Sequence, residues 1–325
     1  MRTATIAIPT FNRVDTLPQA VASALAQDYA ALEVVICDNA STDGTEDYCR
    51  ALAAADGRVR YVRHAENIGA LGNFEAALAA ASGEYFMWLA DDDWIDPNYL
   101  TECIGALERG AVLAGGRAHW FGGDVELKVE APLTLSAGTG TARVLEYYRR
   151  VTRNSVFYGV YRTATVRSLG SVPEPTGGDW MFVALAALAG PVETVETTAI
   201  NRATGGASDT ILGAGWAIPP GVVRHIVHGP GFAGLGKWRR SVLAAECGVI
   251  LGWRVGVWFP LLAISRRALG DAGYRRLRSV YRKVGRLRSR SEMVSSPTSG
   301  QATASAGSSQ RTPAEASGTY GVEIR

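Results

Sequence analysis

Few residues of this chain could form a disulfide framework or a zinc site. Its 325 residues include four cysteines and four histidines, and the cysteines at positions 37, 49, 103 and 247 are scattered without a CxxC pair. We therefore expect reduced thiols in a cytoplasmic protein. No charged and apolar leader precedes the first predicted strand, so we expect no signal peptide. A net charge of +2 argues against a dedicated nucleic-acid binder.

One stretch, residues 85–97, combines a buried strand with a run of acids. The apolar and aromatic residues Tyr85 to Leu89 predict a short strand, and the carboxylates of Asp91, Asp92 and Asp93 follow it. Three adjacent carboxylates repel one another unless a cation neutralises them. Oxygen ligands suit Mg²⁺ or Mn²⁺, which bridge carboxylates to phosphates. The alternative is a solvated acidic loop. Asp96-Pro97 predicts that a helix starts directly afterwards.

The first hundred residues alternate between predicted strands and helices. The strands are predicted at 5–9, 34–37, 59–62 and 85–89. This rhythm indicates an α/β fold, with right-handed crossovers and a parallel sheet covered by helices on both faces. Polar clusters at 10–13, 38–43, 67–69 and 91–93 follow the strands, where ligands bind in such sheets. The first turn lacks the G-x-G-x-x-G fingerprint and the chain lacks a Walker A motif, which disfavours NAD binding and P-loop chemistry.

Five segments, taken together and in this order, resemble family 2 glycosyltransferases of the GT-A fold: residues 8–13, 38–45, 67–69, 82–85 and 91–93. The resemblance implies a Rossmann-like three-layer sandwich with a mostly parallel central sheet, followed here by a helical C-terminal extension. It also implies a nucleoside-diphosphate sugar donor (UDP-, dTDP- or GDP-linked), Mg²⁺ or Mn²⁺ at the aspartates, and inversion at the anomeric carbon.

The resemblance also assigns individual residues to the donor site. It places the base and ribose against Thr10, Asn12 and Asp38, and the metal within Asp91–Asp93. The full set assigned to the nucleotide sugar is Pro9, Thr10, Asn12, Arg13, Asp38, Asn67, Gly69, Asn73, Asp91 and Arg202. Gly72 stands where the family often has a basic residue, so the diphosphate would rely more on the metal. Ala90 stands where the family has an acid, which leaves open which pair of aspartates binds the metal.

In the second half, Asp179 is the candidate catalytic base by the same resemblance. An acceptor hydroxyl must lose its proton as it attacks, and a carboxylate at a helix start is held ionised by backbone amides. The alternative is a plain N-cap, and Gly178 replaces the family's usual Glu. We assign acceptor binding to Tyr158 and Trp180, with core packing as the alternative. Arg202 is predicted to contact the diphosphate, and the alternative is that it is an ordinary surface arginine.

The sequence divides into four predicted regions. Residues 1–110 form the nucleotide-sugar-binding half and 111–215 the acceptor-binding half of one GT-A domain. Residues 216–290 form a helical extension, and the Ser-, Thr- and Gly-rich tail 291–325 is predicted to be disordered. The apolar run 247–262 is interrupted by an arginine and a proline, and a basic segment follows. These features fit peripheral membrane contact through 247–290 or a helix packed on the catalytic domain.

The function predicted from these observations is metal-dependent, inverting transfer of a sugar to an acceptor hydroxyl. The acceptor would be a glycan or a lipid-linked precursor in cell-surface polysaccharide or glycoconjugate assembly, in the cytoplasm or at the inner face of the cell membrane. The sequence suggests two alternative functions. A sugar-phosphate nucleotidylyltransferase is disfavoured because its glycine-rich basic loop has no counterpart at 9–13. A non-catalytic nucleotide-sugar-binding or scaffold relative is the second.

Overall fold

The first part of the chain builds a parallel sheet. The computed structural model describes residues 2–136, 138–171, 178–204, 223 and 226–255. The first elements are β1 (Ala4–Thr10), α1 (Leu17–Leu25), β2 (Leu32–Asp38), α2 (Thr45–Ala55), β3 (Val59–Arg63), α3 (Gly69–Ala80) and β4 (Tyr85–Trp88). Strand β1 pairs in parallel with β2 and β4, and β2 pairs in parallel with β3. The predicted strand–helix alternation and parallel pairing are confirmed here.

The second part adds both parallel and antiparallel strands to the same sheet. Its elements are β5 (Trp94–Ile95), α4 (Tyr99–Glu108), β6 (Leu113–Gly122), β7 (Val125–Val129), α5 (Gly140–Arg150), a 3₁₀ helix (Ser155–Tyr158), β8 (Val160–Arg162), α6 (Thr163–Ser168), α7 (Gly178–Ala189), β9 (Val192–Ala203), a second 3₁₀ helix (Pro230–Leu235) and α8 (Gly236–Val255). The strand order is β3-β2-β1-β4-β8-β6-β9-β5, with β7 beside β6. Because β8 runs antiparallel to both β4 and β6, the sheet as a whole is mixed.

Three local predictions for this part are wrong. The alternating pattern of residues 155–162 predicts a strand, but residues 155–158 form a 3₁₀ helix, since the Phe157 amide donates to the Asn154 carbonyl. The sequence predicts an edge strand over 192–200, but strand β9 lies between β6 and β5 and continues to Ala203. Helix α4 begins at Tyr99, after the short strand β5 and the 96–98 turn, and not directly after Asp96.

An aromatic cluster around Trp88 fastens the central strand β4 to the second half of the chain. The Trp88 ring stacks on Phe157 with ring centroids 5.1 Å apart, and the rings of Phe86 and Phe182 meet it edge-on. Its indole N–H donates to the Phe74 carbonyl at 3.0 Å, so the buried polar atom is satisfied. Such pairs add to the large area that aromatic rings bury. The loop that follows β4 therefore leaves from a rigid point.

Gly83 is required by a close approach between the residue before β4 and the start of β1. A Cβ at position 83 would lie 2.8 Å from the Thr3 carbonyl oxygen and from the Thr5 amide nitrogen, which are backbone atoms that cannot move aside cheaply. We expect Gly83→Ala to lower the free energy of unfolding by about 1–3 kcal/mol, as overpacking does. Urea unfolding measures this loss. Gly57→Ala is the control, because a Cβ there meets nothing within 4 Å, and equal stability of both variants would contradict the packing argument.

The predictions about the cysteines and about membrane contact are considered separately. All four cysteines are buried and free. Among the described helices none combines the length and the apolar character that crossing a bilayer requires. Residues 256–290 of the predicted membrane-contact segment, and the tail 291–325, lie outside the described residues.

Candidate active site

The loops after β1 and β2 are tied together at the carboxyl edge of the sheet. Asn12 has the left-handed φ of 53°, which asparagine tolerates better than most residues. Its backbone amide donates to Ser41 Oγ at 2.9 Å, and its side-chain Oδ1 accepts from the Thr42 backbone amide at 2.8 Å. Thus Asn12, predicted to contact the donor, fixes the shape of this edge through its own backbone and side chain.

Asp38 is a buried carboxylate at the end of β2, and protein donors surround it. It accepts from the Ser41 amide at 2.8 Å and from the Tyr61 hydroxyl at 2.6 Å, and Arg63 Nε lies 3.5 Å from its Oδ2. Burial, and then the Asp38 charge, raise the pKa of Tyr61, so the phenol stays a donor. These three contacts fix the orientation of the carboxylate. Its predicted contact with the base or ribose stays a prediction.

An amide network holds the next loop against the same edge. Asn39 Nδ2 donates to Asn67 Oδ1 at 2.8 Å, and the same oxygen accepts from the Gly69 amide. Gly69 has a φ of +79°, which favours glycine at this turn. Asn73 is buried and donates to the carbonyls of Thr10 and Cys37, at the ends of β1 and β2. The structure therefore brings the predicted donor-site residues of three loops to one edge of the sheet.

Asp91 lies at this edge with little compensation for its charge. Burial raises its pKa to about 6, and the neighbouring Asp92 charge also raises it, while the Thr10 hydroxyl and Arg13 act in the opposite direction. Arg13 Nε is 3.9 Å away, too far for a hydrogen bond. The backbone amide of Phe11 also lowers the pKa of Asp91, but burial outweighs all of these groups. The Asp91 carboxylate is therefore costly to keep ionised without a further cation.

Asp93 is committed to a buried ion pair within the protein. Its Oδ2 accepts from Arg202 Nε at 2.8 Å and its Oδ1 from the Ala203 amide at 3.1 Å. Arg202 is 6% exposed, and its guanidinium lies 4.8 Å from the centre of the Trp120 ring and 4.4 Å from that of Tyr158. Burial opposes the Arg202 charge, but Asp93 outweighs this effect, so the pKa of Arg202 is raised. The predicted diphosphate contact of Arg202 stays a prediction, since here its partners are protein groups.

The three aspartates therefore differ in what they can offer a metal ion. In the part of the chain that the structure describes, no three acidic, thiol or imidazole side chains are grouped as a ready metal site. Asp93 has its two oxygens occupied by Arg202 and Ala203. Asp91 and Asp92 remain, and burial disfavours the charge of Asp91 in the absence of a further cation. This pair fits a divalent cation that takes its other ligands from donor phosphates and water.

The raised pKa of Asp91 predicts how stability depends on pH. A carboxyl whose folded pKa, about 6, exceeds its ordinary 3.8 stabilises the fold below the unfolded value and loses that contribution as pH rises through 6. We expect Asp91→Asn to raise the free energy of unfolding at pH 7.5 by about 1–3 kcal/mol, and to leave it nearly unchanged at pH 4. Urea unfolding at both values measures this, with the exposed Asp124→Asn as control. An equal effect at both values would contradict it.

Asp179 is the acidic residue at the start of α7. Burial raises its pKa, while the side-chain hydrogen bond from Asn154 and the backbone amide of Trp180 lower it. Asn154 Nδ2 lies 3.0 Å from Asp179 Oδ2. A carboxylate with a raised pKa at a helix start is suited to accept a proton near neutral pH. Its assignment as the catalytic base stays a prediction.

The two aromatic residues assigned to the acceptor have different surroundings. Tyr158 is half-buried, and its ring lies between the Arg202 guanidinium and the edge of Phe157. Trp180 is 8% exposed and belongs to the core cluster that contains Phe182 and Tyr147. Acceptor contact stays a prediction for both residues, and core packing describes most of the Trp180 surface.

Sequence reasoning did not identify several residues that shape this site. Asn39, Tyr61 and Asn154 each orient a residue that was identified, namely Asn67, Asp38 and Asp179. Asn39 lies within the 38–45 segment that resembles the family, so its position in the sequence indicated a role in the site. The positions of Tyr61 and Asn154 gave no such indication, because their partners are 23 and 25 residues away in the sequence.

Comparison with known proteins gives matches over the first half of the chain. The family model described as "Glycosyl transferase family 2" matches residues 5–170. The GalNAc(5)-diNAcBac-PP-undecaprenol beta-1,3-glucosyltransferase of Campylobacter jejuni is 34% identical over 118 residues, 36% of each chain. The succinoglycan biosynthesis protein ExoO of Rhizobium meliloti is 37% identical over 102 residues, 31% of this chain and 28% of ExoO. The matches thus cover less than two thirds of either relative.

Solved structures resemble the chain over most of its length. TarS 1-349 of S. aureus in complex with UDP-GlcNAc has a TM-score of 0.59 at 17% identity, covering 90% of this chain and 92% of that chain. The mannosyltransferase PcManGT from Pyrobaculum calidifontis, in complex with GDP-Man and Mn²⁺, has a TM-score of 0.50 at 16% identity, covering 86% and 83%. At these identities the likeness concerns the fold alone.

Proposed function

The chain belongs to glycosyl transferase family 2, and we propose that it moves a sugar from a nucleoside-diphosphate sugar to an acceptor hydroxyl with inversion at the anomeric carbon. It is a glycosyltransferase with the GT-A type of α/β fold. The proposal rests chiefly on one observation, the Asp91 carboxylate just beyond the carboxyl end of the central strand, which is only 14% exposed and whose charge burial disfavours. An anionic group placed there costs stability, which is understandable if it serves a ligand.

The donor would lie along the edge formed by the loops after β1, β2 and β4. Asp91 and Asp92 would hold Mg²⁺ or Mn²⁺, and the ion would supply positive charge to the diphosphate as it leaves. Asp93 is kept from this role by Arg202 and instead anchors the loop to β9. Complexes of related folds with UDP-GlcNAc and with GDP-Man and Mn²⁺ support a nucleotide-sugar donor and a divalent ion.

The transfer step needs a base for the acceptor, and Asp179 would fill this role. The acceptor oxygen forms a bond to the anomeric carbon while the bond from that carbon to the diphosphate breaks. Asp179 takes the hydroxyl proton in the same step. Attack on the face opposite the leaving group gives inversion. Burial supports the assignment, because it makes the Asp179 carboxylate a stronger base than a solvated one.

The acceptor is proposed from chemistry that the relatives' names state. One relative acts on an undecaprenol-linked glycan and another takes part in succinoglycan biosynthesis. We therefore propose a glycan or lipid-linked acceptor in polysaccharide or glycoconjugate assembly. In this scheme residues 1–110 bind the donor, residues 111–215 bind the acceptor, and 247–290 would bring the protein to the membrane surface.

A thermal-shift panel with UDP-, GDP- and dTDP-sugars tests donor binding. With Mn²⁺ present, one nucleotide class should raise the free energy of unfolding by about 2.7 kcal/mol at a hundredfold excess over its dissociation constant. EDTA should remove most of this rise. Asp92→Asn should remove it as well, whereas Asp124→Asn, on an exposed turn, should keep it. No shift with any nucleotide would contradict the proposed donor site.

A further inference from the structure

Asn154 is a buried residue held in an unusual backbone conformation beside the candidate base. Its φ of 60° and ψ of 29° lie in the left-handed region, and its side chain is 2% exposed. Among residues with a side chain, asparagine and aspartate tolerate this region best. Its carbonyl starts the 3₁₀ helix by accepting from Phe157. The backbone therefore aims the Asn154 side chain in one direction, away from solvent.

The Asn154 amide connects α5 to α7 through two hydrogen bonds. The Tyr147 hydroxyl donates to its Oδ1 at 2.7 Å, and its Nδ2 donates to Asp179 Oδ2 at 3.0 Å. This orientation of the amide is set by chemistry, since an ionised carboxylate can only accept and must face the NH₂ group. Tyr147 is buried and its ring packs against Tyr148. Tyr147, Asn154 and Asp179 thus form a hydrogen-bonded relay, and both of its end residues are held in place.

Among the residues that the structure describes, no other group near Asp179 provides an equivalent side-chain contact. Arg202 on β9 lowers the pKa of Asp179 through its charge alone, while the Asn154 hydrogen bond has a larger effect in the same direction. Burial, and to a smaller extent the Asp179 charge, raise the pKa values of Tyr148, Tyr158 and Tyr161, so these three phenols stay neutral. Within the described residues, Asn154 is the side chain that donates a hydrogen bond to Asp179.

We propose that Asn154 is a positioning residue for the transfer reaction. Tyr147 orients the Asn154 side chain, and Asn154 in turn holds the Asp179 carboxylate in the orientation in which it takes the proton from the acceptor hydroxyl. The proposal rests on the proposed role of Asp179 as base. A base that is free to rotate spends less time within reach of the hydroxyl, and small misplacements reduce rates strongly.

Two substitutions at position 154 separate positioning from folding. Asn154→Gly removes the amide while glycine accepts the left-handed backbone without strain. Asn154→Asp keeps size and backbone preference but places a second carboxylate against Asp179. We expect kcat to fall about 10- to 100-fold in Asn154→Gly, with the KM for the donor unchanged. We also expect the acid limb of the pH–rate profile to move to higher pH in Asn154→Gly, and further in Asn154→Asp. Tyr147→Phe should move the limb in the same direction.

A residue with a merely structural role would lower the melting temperature without moving the acid limb, and that result would overturn the proposal. If the wild-type chain shows no transfer at all, the proposed function fails, and a separate readout still tests the relay. In protein labelled with ¹³C-aspartate, the Asp179 carboxyl signal is assigned by its loss in Asp179→Asn. Its titration midpoint should rise in Asn154→Gly, and an unchanged midpoint would overturn the proposal independently of activity.

Discussion

Replacing Asp179 by asparagine should lower the rate of glycosyl transfer by about 10²- to 10⁴-fold, the usual contribution of a general base. Asparagine keeps the size of the side chain but cannot take a proton. Asp179 lies at the start of α7 and is not among the residues that are proposed to bind the donor, so the dissociation constant of the donor should stay within a few-fold of wild type. Initial rates of nucleoside-diphosphate release with acceptor present, together with calorimetric donor titrations, measure both quantities.

The pH profile gives a second view of the same residue. Because burial raises the pKa of Asp179 above its ordinary value, wild-type activity should fall as pH decreases through that raised value, where the base becomes protonated. The residual activity of Asp179→Asn should lack this limb. Asp124→Asn, which changes an acid on an exposed turn, should behave as wild type. Near-normal turnover of Asp179→Asn would show that another group is the base.

Asp93→Asn should lower the free energy of unfolding by about 3–5 kcal/mol, because it leaves a buried guanidinium without its counter-ion. Arg202 is almost fully buried and lies between Trp120 and Tyr158, where water cannot replace the lost carboxylate. The amide of Ala203 would also lose its charged acceptor. Urea unfolding of the variant at pH 7, with donor absent, measures the loss.

A double variant distinguishes a broken ion pair from general damage. Methionine at position 202 keeps an apolar chain against the two rings and removes the charge. The loss of stability in Asp93→Asn/Arg202→Met should therefore be smaller than the sum of the losses in the two single variants, since neither partner is left charged and alone. Strict additivity, or a loss below about 1 kcal/mol in Asp93→Asn, would contradict the view that this pair holds the acidic loop to β9.

The sequence predicted correctly those elements whose structure depends mainly on residues close to them in the chain. Alternating apolar runs predicted β1 to β4 and their parallel pairing, and polar clusters after each strand predicted the edge where Asn12, Asp38, Asn67 and Asp91 now lie together. The start of α7 at Gly178 and Asp179 was predicted within a residue. In each case the determining interactions are short-range or follow from the handedness of βαβ units.

The features that the sequence did not reveal depend on contacts between distant residues. Arg202 and Asp93 are 109 positions apart, and nothing local distinguishes this arginine from a surface one. The strand predicted through 155–158 was wrong because Asn154 adopts a left-handed conformation that redirects the chain. The antiparallel placement of β8 between β4 and β6 likewise follows from tertiary packing, here the contacts of Tyr161 and Phe182 with Trp88.

Donor turnover tests the central claim most directly. The wild-type chain is incubated with the nucleotide sugar that gives the metal-dependent thermal shift, and release of the nucleoside diphosphate is followed over time with Mn²⁺ and with EDTA. The account predicts steady release with Mn²⁺, acceleration by a suitable acceptor, and loss of release in EDTA. Tight binding of the donor without release under any metal condition, and without transfer to any glycan or lipid-linked acceptor, would contradict it and favour a non-catalytic relative.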